Sequence, residues 1–336
     1  MAYLEELTAK SGTLRGQDLP AYYDRLEREH VHLLAELDRY EREEPAAALR
    51  MATLLQPFWL DRGHLQEGRR RLTRALEIAP DAPAADRAKA LYAAGTLAFR
   101  QPDNPEARRL FDQGLGITRA QGDRAAEAQA LGGLARCALR DGRAKEAGEL
   151  AGEAMRIQQE LGNEGGVAAA LHVVAYSAYV EGDDDRARHL FEESITLERR
   201  LGNLRSTAGD LTNLGSVETR AGNLARAADL CAESLRVAME TNTVYLLPYC
   251  VANIGGVVAA RRNDVLGARL LGAAERMFER SQAAIDPGTA IEFERHKARV
   301  RSALGERAFR DSWDGGRALA NEDAIALARD SIVTEA

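Results

Sequence analysis

The residues able to do chemistry are few and scattered. Six histidines stand at His30, His32, His64, His172, His189 and His296, and three cysteines at Cys137, Cys231 and Cys250. His30 and His32 lie two apart on a helix, hence on different faces, and no HExxH or CxxC spacing occurs. Neither metal nor other cofactor is expected. Asp183-Asp184-Asp185 suits a solvated helix N-terminus, where acidic side chains favour the helix dipole, better than a cation site. Arg69-Arg70-Arg71 reads as a charged outer face. There is no GxSxG elbow and no GxGxxG after a strand. No nucleophile, base or phosphate cradle is assembled, so an enzyme is not expected.

The 336 residues carry 45 basic and 52 acidic side chains, a formal charge of −7, which disfavours direct gripping of a nucleic-acid backbone. Hydrophobic residues make up 45%, so wholesale disorder is excluded, while aromatic residues make up only 5%. An Ala-, Leu-, Arg- and Glu-rich chain poor in β-branched and aromatic residues forms helices. The expected class is all-α. No stretch approaches the ~20 apolar residues needed to span a bilayer, and Met1 to Lys10 lack the basic-then-apolar order of a signal peptide. The expectation is a cytoplasmic protein with reduced thiols and no membrane partner.

What positions the polar residues is a repeat. Gly142-Arg-Ala-Lys-Glu-Ala147, Gly182-Asp-Asp-Asp-Arg-Ala187 and Gly222-Asn-Leu-Ala-Arg-Ala227 begin 40 residues apart, and the register extends to Gly63, Pro102 and Arg262. Five residues after each mark stand Gly68, Ala107, Ala147, Ala187, Ala227 and Gly267, all small. Four further on come Leu72, Phe111, Ala151, Phe191, Cys231 and Leu271, and three beyond those Ala75, Gly114, Ala154, Ser194, Ser234 and Ala274. Steps of four and three keep these on one helical face. Seven residues before a mark stand Gly95, Ala135, Ala175, Gly215 and Gly255. Each unit is thus two amphipathic helices, A and B, joined at a tight turn. A small residue on each helix lets the backbones approach, and a large neighbour fills the space beside them. One hairpin cannot bury its apolar face alone; stacking on the next one does. Leu161-Gly162-Asn163 and Leu201-Gly202-Asn203 offer a left-handed helix end followed by a capping residue.

This order of small and large residues resembles the tetratricopeptide repeat. Gly95, Ala107, Phe111 and Gly114 follow it, as do Ala175, Ala187, Phe191 and Ser194. The period of about 40 departs from the family's shorter one, and no proline closes each unit. The resemblance implies a right-handed α-solenoid of about six long hairpins. The expected organisation is an N-terminal capping region at 1–44, the repeats at 45–280 and a helical cap at 281–336. In the first region a charged helix spans 20–43. Pro57 is expected to kink its helix, and Asp286-Pro287-Gly288 to turn the chain into helices near 289–303, 305–313 and 321–330. Phe293, Phe309 and Trp313 would cover the last apolar face.

The stretches from Phe58 to Arg70 and from Ala268 to Leu319 resemble more narrowly the repeat arm of bacterial LuxR-type and related signal-transducing NTPase (STAND) regulators. The sequence holds no GxxxxGK[ST] and no DNA-reading domain, so the resemblance implies a sensing arm on its own.

If the register transfers, the A helices turn one row of residues into a groove. That row holds Lys89, Tyr92, Thr96, Arg100, Arg136, Arg140, His172, Tyr176, Tyr179, Asn213, Ser216, Arg220, Tyr249 and Asn253. Arg pairs with carboxylates through two N–H groups, Tyr offers area with a polar tip, and Asn can hold an extended backbone. One reading is a groove for an acidic or carboxylate-bearing segment of a protein or peptide partner in bacterial signalling or transcriptional control. The alternative is an arm that binds a small inducer and self-associates. Against both stands plain packing of Tyr176, Tyr179 and Tyr249 between neighbouring helices, with solvated arginines.

Overall fold

The structure is a computed structural model that describes residues 18–281, 285 and 287–333. Met1 to Lys10 and Asp286, on which two of the expectations above rest, lie outside the described residues. Among those residues all regular structure is helical, and no helix is long and apolar enough to cross a membrane.

Among the described residues two helices precede the repeats: α1 (Asp18–Arg28) and α2 (His30–Glu43). They take the place of the single helix expected over 20–43, because Glu29, at φ −91° and ψ 1°, interrupts it. Leu26, Leu33 and Leu37 of this pair are buried.

Six hairpins follow, as the 40-residue register requires. Their A helices are α3 (Pro45–Arg62), α5 (Ala84–Arg100), α7 (Arg124–Arg140), α9 (Glu164–Glu181), α11 (Leu204–Ala221) and α13 (Leu247–Ala260). Their B helices are α4 (Leu65–Ile78), α6 (Asn104–Gln121), α8 (Ala144–Glu160), α10 (Asp184–Arg200), α12 (Leu224–Glu240) and α14 (Asp264–Ser281). A 3₁₀ turn, Val244–Leu246, leads into α13. Pro45 opens α3 at a position whose N–H has no helical partner anyway, and α3 remains one helix through Pro57. Among the described residues two further helices follow: α15 (Pro287–Arg317), divided at the non-helical Gly305 (φ 72°, ψ 164°), and α16 (Asn321–Val333).

The turns explain the period. All six marks adopt positive φ: Gly63 (80°), Pro102 (31°), Gly142 (73°), Gly182 (81°), Gly222 (83°) and Arg262 (69°). Between them Gly122 (68°), Gly162 (65°), Gly202 (73°) and Asn242 (50°) do the same. From 102 to 262 a left-handed residue therefore recurs every 20 residues, ending each helix at the same length. The next residue begins the following helix. Asp103, Asp123, Asn163 and Asp183 each accept a hydrogen bond from the backbone N–H three residues on. Asn203 and Asn223 do otherwise: their amides donate to the buried Glu198 and Glu218, each at 2.6 Å.

The chain forms two compact units. One contains the described residues up to Asp141 together with Glu153–Leu161; the other contains Gly142–Gly152 and the described residues from Gly162 onward. In the first, α3 packs on α4 and α5, and α5 on α6 and α7. Phe111 of α6 shows how tightly: its ring is fully buried and leaves no room for a Cβ at Gly95 of α5 or Gly133 of α7, each of which would lie 2.8 Å from it. In the second unit α9, α11 and α13 pack in order with their B helices α10, α12 and α14. Here α15 packs along α14 and also meets α13 and α9, while α16 meets α12, α13 and α14. Phe293 and Phe309 of α15 are buried around Trp313 at ring-centroid distances of 6.0 and 5.1 Å.

Candidate functional site

The A-helix row divides between the two units. In the first unit its centre is Phe99, near the end of α5. Arg140, one turn beyond Arg136 on α7, lays its guanidinium carbon 3.4 Å from the Phe99 ring centroid and donates Nη1 to the Phe99 carbonyl. Arg136 stands at 5.8 Å from the same ring. Both positions satisfy the planar cation on the negative face of an aromatic ring. The Arg136 Nε is buried without a hydrogen-bond partner. Two turns earlier on α5, Lys89 and Tyr92 line a small cleft with Phe111, Gly114 and Thr118; the Tyr92 and Phe111 rings are 5.6 Å apart. Thr96 turns inward to donate to the Tyr92 carbonyl at 2.9 Å, and Arg100 is exposed.

In the second unit the row is largely engaged. His172 Nδ1 lies 2.5 Å from Asp210 Oδ1, and the fully buried Asp210 accepts a second bond from Ser194 Oγ at 2.6 Å. The serine hydroxyl is thus held by the carboxylate and not by the imidazole, the reverse of the order a serine nucleophile requires. Burial, reinforced by Asp210, pushes the neighbouring Glu198 carboxyl up. The three thiols are equally unsuited to attack: burial raises Cys137 and Cys250 to about 11 each, and Cys231 further.

Tyr176, Tyr179 and Arg220 hold a segment of this chain itself. The Gly288 N–H at the start of α15 donates to the Tyr176 hydroxyl at 3.0 Å. Arg220 donates Nη1 to the Glu292 carboxylate at 3.2 Å, Nε to Asp184 at 2.9 Å and Nη2 to the Tyr179 carbonyl at 3.0 Å, while covering the Tyr179 ring at 4.6 Å. Tyr179 is 2% exposed, and burial followed by the charge on Glu292 raises its phenol. One turn after Glu292, the His296 ring comes so near α13 that a Cβ at Gly256 would meet it at 2.7 Å. Asn253 donates to the Thr212 carbonyl at 2.8 Å, and Tyr249 stacks edge-on against Phe278 at 4.9 Å. Asn213 and Ser216 are half-buried on α11.

The row therefore contains two kinds of position. Tyr249 packs on α14, as plain packing between helices has it, while Asn253 binds α11 and Thr96 its own helix. Arg136 and Arg140 flank an aromatic ring, and Tyr176, Tyr179 and Arg220 receive a polypeptide segment. Phe99, Gly256, Gly288, Glu292 and His296 complete the arrangement and were not singled out from the sequence. Gly256 carried a signal: it occupies the register of Thr96, Arg136, Tyr176 and Ser216, and it alone has no side chain.

The family profile of the tetratricopeptide repeat matches residues 86–160. No curated protein matches the sequence. Among solved structures the fold is similar to a Rap protein complexed with competence and sporulation factor, at 14% identity and TM-score 0.56, over 93% of this chain and 93% of that one. It is similar to the apo form of RapI at 11% identity and TM-score 0.56, over 98% and 96%. It is also similar to a signal-transduction ATPase (STAND) protein with a tetratricopeptide-repeat sensor from Pyrococcus horikoshii, at 16% identity and TM-score 0.58, over 80% of this chain and 43% of that one. At such identities the likeness speaks for the fold. The chain thus carries tetratricopeptide repeats at residues 86–160, with helical hairpins on either side of them.

Proposed function

We propose that the chain is a non-catalytic scaffold whose A-helix row binds a carboxylate-bearing segment of a protein or peptide partner in bacterial signalling or transcriptional control. The observation that carries this is the occupied row of the second unit. There Tyr176 takes a backbone N–H and Arg220 takes a carboxylate, both from the segment beginning at Gly288. A face that recognises one polypeptide through these two contacts has the chemistry to recognise another. In the first unit Arg136 and Arg140 present the same kind of cation around Phe99, and Arg136 Nε is a buried donor in want of an acceptor. The similar Rap protein bound to competence and sporulation factor is consistent with this role.

Fluorescence anisotropy with labelled acidic peptides, graded in Asp and Glu content, tests the reading. Wild type should bind in a saturable, salt-dependent way, and Arg136→Glu/Arg140→Glu should bind at least about tenfold more weakly, as expected for reversing charges that contact a carboxylate. Equal binding by both proteins would remove the row from the site. If no peptide binds while a small metabolite raises the melting temperature and drives self-association, the inducer-binding arm is the correct reading.

A further inference from the structure

Outside the A-helix row, the fold brings two donors from the α1–α2 junction together with a third that is far away in sequence. One ligand atom from each of Glu27, His30 and His64 lies within 4.8 Å of the other two. Glu27 and His30 are separated by three residues across the junction of α1 and α2. Helical hydrogen bonding continues there, from Glu29 N–H to the Arg25 carbonyl and from Leu33 N–H to the Glu29 carbonyl, so both side chains leave on one side. His64 arrives from the turn between α3 and α4, directly after the left-handed Gly63.

The geometry suits a metal in four respects. His64 Nε2 already lies 3.0 and 3.1 Å from the two Glu27 carboxylate oxygens. Donors around a tetrahedral zinc ion, each at about 2.0–2.1 Å, stand about 3.3 Å from one another, so this edge needs no adjustment. The two imidazoles lie with centroids 4.4 Å apart and planes tilted by 36°, and Phe58 walls both rings at 5.4 and 5.5 Å. His30 Nε2 is buried with no hydrogen-bond partner, the situation of a lone pair that lacks its acid. Glu27 is exposed and His64 partly so, which gives an ion a way in and leaves a fourth position to water.

We propose that Glu27, His30 and His64 form a binding site for a divalent ion of borderline softness, of the zinc class, with an open fourth position. Two imidazoles and a carboxylate are the donor set that such ions prefer. The spacing of histidines along the chain shows none of this, because the ligands belong to two turns 37 residues apart. A bound ion would tie the α1–α2 junction to the first hairpin of the repeats.

Calorimetric titration of the full chain with zinc chloride, paired with the visible spectrum of the cobalt-loaded protein, decides the matter. One ion per chain is expected, with the intense visible bands of tetrahedral cobalt. His64→Ala and Glu27→Gln should each weaken binding at least about tenfold, and His32→Ala and His189→Ala should leave it unchanged. Glu27→Gln keeps the size of an exposed side chain, so its effect does not depend on a damaged fold. Absence of stoichiometric binding, or binding indifferent to both Glu27→Gln and His64→Ala, would overturn the site.

Discussion

Arg220 and Glu292 meet at 3.2 Å across 72 residues of sequence, and Glu292 is only 5% exposed. The pair fixes the beginning of α15 on the A helices of the second unit, where Gly288 and Tyr176 form the adjacent contact. A hydrogen bond to a charged group is worth about 1.5–3 kcal/mol, and Arg220 keeps Asp184 when Glu292 is removed. Glu292→Ala should therefore lower stability by about 1–3 kcal/mol. Amide exchange should speed up between residues 288 and 304 more than in α5 or α7. Uniform protection in the variant would show that the pair does not anchor the helix.

The same helix should be sensitive to acid. Burial, followed by the charges of Arg295 and Arg299, lowers His296 from 6.5 to about 4. The folded protein thus keeps this imidazole neutral, while the unfolded chain protonates it first as the pH falls. Stability is full above about 6.5 and is lost between there and about 4, by roughly 3 kcal/mol for a gap of this size. Urea unfolding at pH 7 and pH 4.5 should show a smaller pH-dependent loss for His296→Leu than for wild type. An identical loss in both would place the acid sensitivity elsewhere.

The repeats were legible because each helix pair must solve the same problem. Small residues such as Gly95 and Ala107 and fillers such as Phe111 recur every 40 residues wherever two helices cross closely, and a left-handed residue ends each helix. The destination of α15 was not legible. Its contacts reach back 72 and 112 residues to Arg220 and Tyr176, and no period links one such segment to the row it occupies. Only the missing side chain at Gly256 hinted that something else fills that space. The single helix expected over 20–43 failed for a local reason: Glu29 breaks it without the Gly or Pro that marks most breaks.

Phe111 provides a test of close packing. Gly133→Ala places a methyl group 2.8 Å from the ring, which also lies within 2.8 Å of where a Cβ at Gly95 would stand. Overpacking of this kind costs about 1–3 kcal/mol. Gly132, its immediate neighbour on α7, has nothing within 4 Å of a Cβ, so Gly132→Ala should instead stabilise the helix by about 0.5–1 kcal/mol. Denaturant titration of the two variants should move the midpoint in opposite directions; a shift of the same sign in both would contradict the crowding at Phe111.

The left-handed positions give the last prediction. Glycine meets φ near +70° without a steric penalty, whereas a residue with a Cβ is strained there by about 1–2 kcal/mol. The chain has glycine at 142, 182 and 222 but arginine at the equivalent 262, where φ is 69°. Arg262→Gly should therefore raise stability, by at most about 1 kcal/mol, because a more flexible unfolded chain offsets part of the relieved strain. Gly222→Ala, at φ 83° with open space around it, should lower stability by a similar amount through backbone conformation alone. Paired melting curves would read both effects. A stabilised Gly222→Ala would mean that the turn relaxes out of the left-handed region, and the 20-residue spacing of helix ends would then lose its physical cause.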